Sequence, residues 1–259
     1  MSNKQESWLA RRHRKALAWY GARFRSLARR NEAVLGLFCD FEGHHAGPDG
    51  ERFADRGTDV LLGLLDRHRL RITFNVVADL CHRHADRVRR VVEAGHEIAC
   101  HGLRHRHPRD LSAEDIDEML REAGQCFEAV GVRVCGFRSP QSGWSAALLR
   151  GLAAHGYQWN AERDAAPGPY RILPNLVRVG VTTDDWDLAD GTSGAAALIA
   201  KWRRRVDAAR NARHVVCVGV HEWIIGRDED YATAFDAFLG EMSELRDLRI
   251  QTLGETAAG

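Results

Sequence analysis

From Ala33 onward the chain alternates short β-rich runs with helical patterns, and this alternation limits the fold more than any other feature. Such a rhythm is the signature of βα units wrapped around a parallel sheet. The expected strands are Ala33–Phe41, Leu70–Ala78, His96–His101, Val134–Arg138, Tyr157–Asn160, Leu176–Val181, Val215–His221 and Leu248–Thr252. Several are continuous apolar runs, as strands buried on both faces should be. Between them Asp59–Arg69, Asp86–Ala94, Ala113–Val130, Ala146–His155, Gly194–Asn211 and Tyr231–Leu245 read as helices. Ser112 supplies an N-cap to the third of these, with Glu114 and Asp115 in its first turn. Seven or eight such units predict an α/β protein, a distorted (β/α)7-8 barrel. Polar residues collect at the expected strand ends: Asp40 and Glu42, His101, Arg138 and His221. In a barrel of this kind chemistry is built at the C-terminal strand ends.

A length of 259 residues suits one large barrel as well as two small domains. The unbroken alternation favours one barrel over residues 32–259, with residues 1–31 standing apart. Lys+Arg number 37 against 36 Asp+Glu, so no global basic field points to nucleic acid. The exception is local. Trp8–Arg30 carries eight basic residues, Arg11, Arg12, Arg14, Lys15, Arg23, Arg25, Arg29 and Arg30. Leu9, Ala16, Trp19, Tyr20, Phe24 and Leu27 follow one face of an extra N-terminal helix. That helix either packs on the barrel with a solvated basic face or makes peripheral contact with an anionic membrane through residues 8–30. The cysteines Cys39, Cys81, Cys100, Cys126, Cys135 and Cys217 lie far apart, with no C-x-x-C pair, and read as reduced, mostly buried thiols. With no secretory or membrane-spanning run, the expected compartment is the cytoplasm, with the inner membrane face open to the basic helix.

The strongest local signal is Gly95-His96-Glu97-Ile98-Ala99-Cys100-His101-Gly102-Leu103-Arg104-His105. A strand ending at His101 and one following turn can bring His105 back beside it, so that both imidazoles share a cation. Thirteen histidines make H-x-x-x-H weak by itself; His96, His107 and the pair His82 and His84 read as structural or surface residues. The second signal is Phe38-Cys39-Asp40-Phe41-Glu42-Gly43. Residues i and i+2 of a strand share a face, so Asp40 and Glu42 enter one site. Without a cation between them they would repel and one pKa would rise. Two histidines and a carboxylate form a common catalytic zinc set with a position left for water. Three further clusters follow: Gly136-Phe137-Arg138-Ser139-Pro140, Thr182-Thr183-Asp184-Asp185-Trp186-Asp187 and Val218-Gly219-Val220-His221-Glu222-Trp223.

These five clusters, in this order, resemble the NodB-homology polysaccharide deacetylases, carbohydrate esterase family 4, over about residues 33–252. Ile72-Thr73-Phe74-Asn75-Val76-Val77 and Ala94-Gly95-His96-Glu97-Ile98 resemble further family segments. The resemblance implies a NodB-type barrel in which Asp40 is the general base and Glu42, His101 and His105 hold one divalent metal, zinc first, with cobalt, nickel or manganese as alternatives. It implies that Arg138 holds the base, that His221 is the general acid paired with Asp185, and that Pro140, Trp186 and Trp223 contact substrate. The usual adjacent aspartates are split here as Asp40-Phe41-Glu42, similar to branches that act on lipid-linked sugars or other small amides. That split leaves open which carboxylate binds metal. Gly102 stands where Ser or Thr is usual, and Gln141-Ser142 follows Pro140 where an aromatic and Gly are common.

The function so implied is removal of an N-acetyl or N-formyl group from an amino sugar on a lipid-linked, nucleotide-linked or antibiotic-type glycoconjugate. The rivals are an allantoinase-like amidohydrolase, a non-haem iron oxygenase with a facial triad, and an inactive sugar-binding homologue.

Overall fold

The run Ala33–Phe41 forms strand β1, and each of its nine residues is buried. It is central because it takes partners on both sides: β2 (Thr73–Val76) pairs with its C-terminal half, β8 (Val215–His221) along most of its length, and β9 (Leu248–Gln251) with Ala33–Gly36, all parallel. Strands β3 (Glu97–Cys100), β4 (Gly136–Arg138), β5 (Trp159–Arg163) and β7 (Leu176–Val181) continue the parallel sheet beyond β2. A bridge from Thr183 to Val218 joins the end of β7 to β8, with the Gly219 amide donating to the Thr183 carbonyl at 3.1 Å. The path β1-β2-β3-β4-β5-β7-β8 thus closes as an irregular seven-stranded barrel, the lower of the two strand numbers expected. The structure, a computed structural model, describes residues 31–164 and 166–259. The basic segment Trp8–Arg30, with the extra helix and membrane contact expected of it, lies outside the described residues.

Inside the barrel Val34, Phe38, Ala99, Trp159, Ala161, Val179 and Cys217 make an apolar column, and Leu253 and Ala257 of the last helix (Leu253–Ala258) join it. That helix is anchored by its first amides: Leu253 N–H donates to Thr73 Oγ1 at 2.7 Å and Gly254 N–H to Glu97 Oε2 at 3.0 Å. Outside, the larger core packs the sheet against helices Ala113–Glu128, Ala195–Ala212 and Glu229–Glu244. Ser112 forms a capping box with Asp115, a device contributing about 1 kcal/mol to such a helix.

Two differences from the sequence expectation have tertiary causes. The first helix runs over Pro48–Arg67 and not from Asp59. Its opening Pro-Asp-Gly reads locally as a turn, and its glycines answer to packing: a Cβ on Gly57 would lie 1.8 Å from the Glu222 carbonyl oxygen, and one on Gly226 2.3 Å from that of Phe53. The short helix Glu222–Arg227 therefore presses directly on this one, and neither the extension nor the short helix carries a local signal of its own. The second difference is an additional strand, β6 (Tyr170–Leu173), antiparallel to β7 across a tight turn at Pro174-Asn175. Among the described residues no helix is long and apolar enough to cross a membrane. Five cysteines are buried and Cys135 is partly so; all six are free thiols.

Candidate active site

The strand register assembles the site. Asp40 on β1 lies level with Asn75 on β2 and with His221 on β8, all at C-terminal strand ends. Glu42 follows β1 directly as the N-cap of the 3-10 turn Gly43–Ala46 and lies at the same mouth. His101 follows β3 directly, and the chain turns back through Gly102 (φ 79°) and His105 (φ 51°). The first left-handed residue is a glycine, where that conformation is least costly. As a result Glu42, His101 and His105 offer ligand atoms that all lie within 4.8 Å of one another. Glu42 Oε1 is 2.8 Å from His105 Nε2 and 3.6 Å from His101 Nε2.

The donor chemistry of these three residues fits a divalent metal. His101 Nδ1 donates to the Arg138 carbonyl oxygen at 2.8 Å, which fixes the tautomer and leaves Nε2 as a lone-pair donor. Nε2 of both His101 and His105 is buried and makes no well-directed hydrogen bond, with only the Glu42 carboxylate in front of it. Orphaned buried imidazole nitrogens facing a carboxylate are costly unless something binds them. Burial alone would raise the Glu42 carboxyl, yet His221, His101 and His105 outweigh it and hold it well below the usual carboxylate range. It is therefore an anion that needs a cation.

Asp40 stands in other company. Arg138 Nε lies 2.9 and 2.8 Å from its two oxygens, and Asn75 donates to Oδ1 at 2.8 Å. Burial opposes ionisation, but the Arg138 guanidinium, with His101 and His221, lowers the Asp40 pKa. On the facing wall His221 Nδ1 meets Asp185 Oδ1 at 2.5 Å, and the other Asp185 oxygen accepts from the His221 amide at 2.9 Å and from the Tyr231 hydroxyl at 3.1 Å. Burial would depress the His221 pKa; Asp185, Glu42 and Asp40 together raise it well above the ordinary value. His221 Nε2 points toward the carboxylates, 3.9 Å from Asp40 Oδ2 and 3.6 Å from Glu42 Oε1.

These groups open on a cavity of about 370 Å³ lined by Asp40, Glu42, His105, Arg138, Gln141, Arg163, Asp184, Trp186 and His221. Its size is in the range of small-ligand pockets. Trp186 is the large apolar side chain left exposed at the rim, at 45%. Trp223 and Pro140 are buried and stand behind the lining, Trp223 edge-on to Trp186 with ring centroids 6.2 Å apart, and Pro140 against Gly102. Asp185 and His101 are likewise buried, the latter with its Nε2 toward Glu42. Gln141 (φ 54°) and Ser142 (φ 53°) hold left-handed backbone, and with His105 they make three such non-glycine residues at one mouth. Strain of this kind gathers at functional sites. Ser142 Oγ accepts from Arg138 Nη1 and from the Arg163 amide, both at 3.2 Å, which gives the strained turn its purpose.

Sequence reasoning did not single out Asn75, Arg163, Asp184, Glu222 or Tyr231. Asn75 had one available signal, an amide inside a buried apolar strand. Glu222 is fully buried and accepts from the Gly43 amide at 2.7 Å and the Glu42 amide at 3.3 Å, holding the turn that carries Glu42. Burial pushes its carboxyl up to about 7.

A polysaccharide deacetylase family model matches residues 47–159, under half of the chain, and that span includes His101, His105 and Arg138. The peptidoglycan-N-acetylglucosamine deacetylase of Bacillus cereus is 25% identical over 177 residues, 66% of this chain and 78% of the relative. The peptidoglycan deacetylase of Helicobacter pylori is 25% identical over 163 residues, 61% of this chain but only 53% of its own. In structure, a polysaccharide deacetylase from Mycobacterium smegmatis superposes with a TM-score of 0.81 at 22% identity, covering 91% of this chain and 93% of the other. The Puue allantoinase does so with a TM-score of 0.78 at 17% identity, covering 92% and 94%. The structural matches show the NodB-type α/β fold, and the family model and the two relatives show similarity to polysaccharide deacetylases over part of the chain.

Proposed function

We propose that this chain is a metal-dependent hydrolase that removes an N-acetyl or N-formyl group from an amino sugar. The observation that carries the reading is the convergence of Glu42, His101 and His105 within ligand distance of one another, at a mouth shared with the Asp40–Arg138 and His221–Asp185 pairs. Zinc fits the donor set first, with cobalt, nickel or manganese as alternatives. When bound, such a cation supplies Lewis acidity at the amide carbonyl and lowers the pKa of water.

The protein groups divide the remaining work. Asp40, kept ionised by Arg138 and Asn75, takes a proton from the attacking water as its oxygen bonds to the acyl carbon. His221, kept protonated by Asp185, gives its Nε2 proton to the amine nitrogen as the carbon–nitrogen bond breaks. Acetate or formate and a free amino sugar leave. Trp186 offers a face for a sugar ring or acyl methyl, while Gln141 and Arg163 offer polar contacts at the rim. The substrate class proposed is a lipid-linked, nucleotide-linked or antibiotic-type glycoconjugate whose acylated sugar enters the open cavity of about 370 Å³. Acetate release across a panel of N-acetylated sugar donors tests the reading, and a cyclic ureide in the same panel separates it from ring-opening amidohydrolase activity.

A further inference from the structure

A second cluster of imidazoles lies on the loops beside the proposed catalytic centre, in positions the deacetylation chemistry does not use. His44 and His45 occupy the 3-10 turn Gly43–Ala46 that follows β1, and Asp79 sits just after β2. Ligand atoms of the three lie within 4.8 Å of one another. His45 Nε2 already faces Asp79 Oδ1 at 2.6 Å, while Arg83 Nε holds the other Asp79 oxygen at 3.4 Å and so orients the carboxylate. His44 Nδ1 is buried with no hydrogen-bond partner, and its ring lies 4.1 Å from that of His45 and 5.6 Å from that of His84. Two imidazoles beside a nine-tenths buried carboxylate, one of them with an unpartnered buried nitrogen, are a donor set for a borderline divalent cation.

We propose that His44, His45 and Asp79 form a second metal site, for zinc or a similar divalent transition cation, with the His84 ring beside that of His44. Its place gives it a structural role. The Gly43–Ala46 turn is continuous with Glu42, whose amide is held by Glu222. Asp79 and Ala78 bind through their amides to the carbonyls of Leu103 and Gly102, at 3.1 and 2.9 Å, inside the loop that carries His101 and His105. A cation at this point ties together the two loops that supply the first metal set.

Zinc alone is the probe. The full chain, freed of metal by a chelator and untagged, is titrated against a chromophoric zinc chelator, with bound zinc counted by elemental analysis. Wild type is expected to take two sub-micromolar equivalents, Asp79→Asn and His44→Gln one, and the double variant His101→Gln/His105→Gln one. In that double variant zinc should still raise the melting temperature, since a ligand of the folded state stabilises it. A single equivalent in wild type that survives Asp79→Asn overturns the second site. Loss of one equivalent in Asp79→Asn with none lost in His101→Gln/His105→Gln would instead strike the catalytic metal reading, so the two failures are distinguishable. Should a variant not fold by circular dichroism, cobalt(II) titration of wild type decides by ligand-field absorption: saturation at two equivalents supports the site, and saturation at one overturns it.

Discussion

Arg138 Nε sits between the two carboxylate oxygens of Asp40, 2.9 and 2.8 Å away, and both side chains are 3% exposed or less. A buried carboxylate held by a guanidinium stays ionised, as a base must be, and both Asp40 oxygens are already engaged by Arg138 and Asn75 while Glu42 faces the two imidazoles. Asp40→Asn is therefore expected to keep its metal while turnover falls by about 10²- to 10⁴-fold, the usual reach of general acid–base catalysis. Metal content and acetate release measured on the same sample check this. Unchanged turnover removes Asp40 from the base role.

Asn75 completes the hold on Asp40 from the adjacent strand, at 2.8 Å. A hydrogen bond to a charged group is worth about 1.5–3 kcal/mol. Asn75→Ala should accordingly lower kcat/KM roughly 10- to 100-fold, mostly through kcat, in a protein that remains folded by circular dichroism. A change confined to KM would place Asn75 on the substrate and not on Asp40.

Asp185 fixes His221 through both its ring nitrogen and its backbone amide. In Asp185→Asn the imidazole loses its anionic partner, so a decrease on the order of 10²-fold in kcat is expected. Steady-state kinetics on wild type and variant provide the comparison, and parity between them contradicts the pairing.

The pH dependence of stability has a source away from the site. His96 packs on Phe74 with ring centroids 5.0 Å apart and accepts the Ile72 amide at 3.4 Å on Nδ1, which requires the neutral ring. Burial first, then Arg71, lowers its pKa to about 4, against roughly 6.5 in the unfolded chain. Between these values the unfolded chain binds the extra proton, so the stabilisation is complete above the unfolded value and is lost as pH falls toward about 4. Urea midpoints should drop from pH 7.5 to 5, and His96→Gln should flatten that slope. An identical slope in the variant would falsify the assignment.

Gly57 touches the backbone of the helix that begins at Glu222. Gly57→Ala must part the two helices, at a cost of about 1–3 kcal/mol by the usual scale of overpacking. Denaturant melts should show this as a lower midpoint, and an unaltered midpoint would mean that the contact is slack.

Much of this arrangement is legible in one dimension, for reasons the particular residues make plain. Ala33–Phe41, Leu176–Val181 and Val215–His221 are long apolar runs whose limits match the observed strands. Strand alternation is enough to expect Asp40 and Glu42 on one face, and Glu42, one residue past β1, does line the same cavity as Asp40. What sequence spacing does not reveal is sideways register. Asn75 becomes a partner of Asp40 only because β2 lies level with β1 at that residue, and Glu222 reaches the Glu42 turn only because two glycine-bearing helix segments approach so closely. Pro140 and Trp223 were legible as neighbours of the site, yet packing sets them one layer behind its surface.

The reaction proposed for this site is metal-assisted cleavage of an N-acyl amino sugar. Acetate or formate release from a panel of N-acylated sugar donors, by the full chain before chelation, after chelation and after zinc is restored, tests it most directly. Release from at least one donor is expected, with its loss on chelation and its return with zinc. Release that persists undiminished in the chelated protein, or no release from any donor while a cyclic ureide is opened, would contradict it.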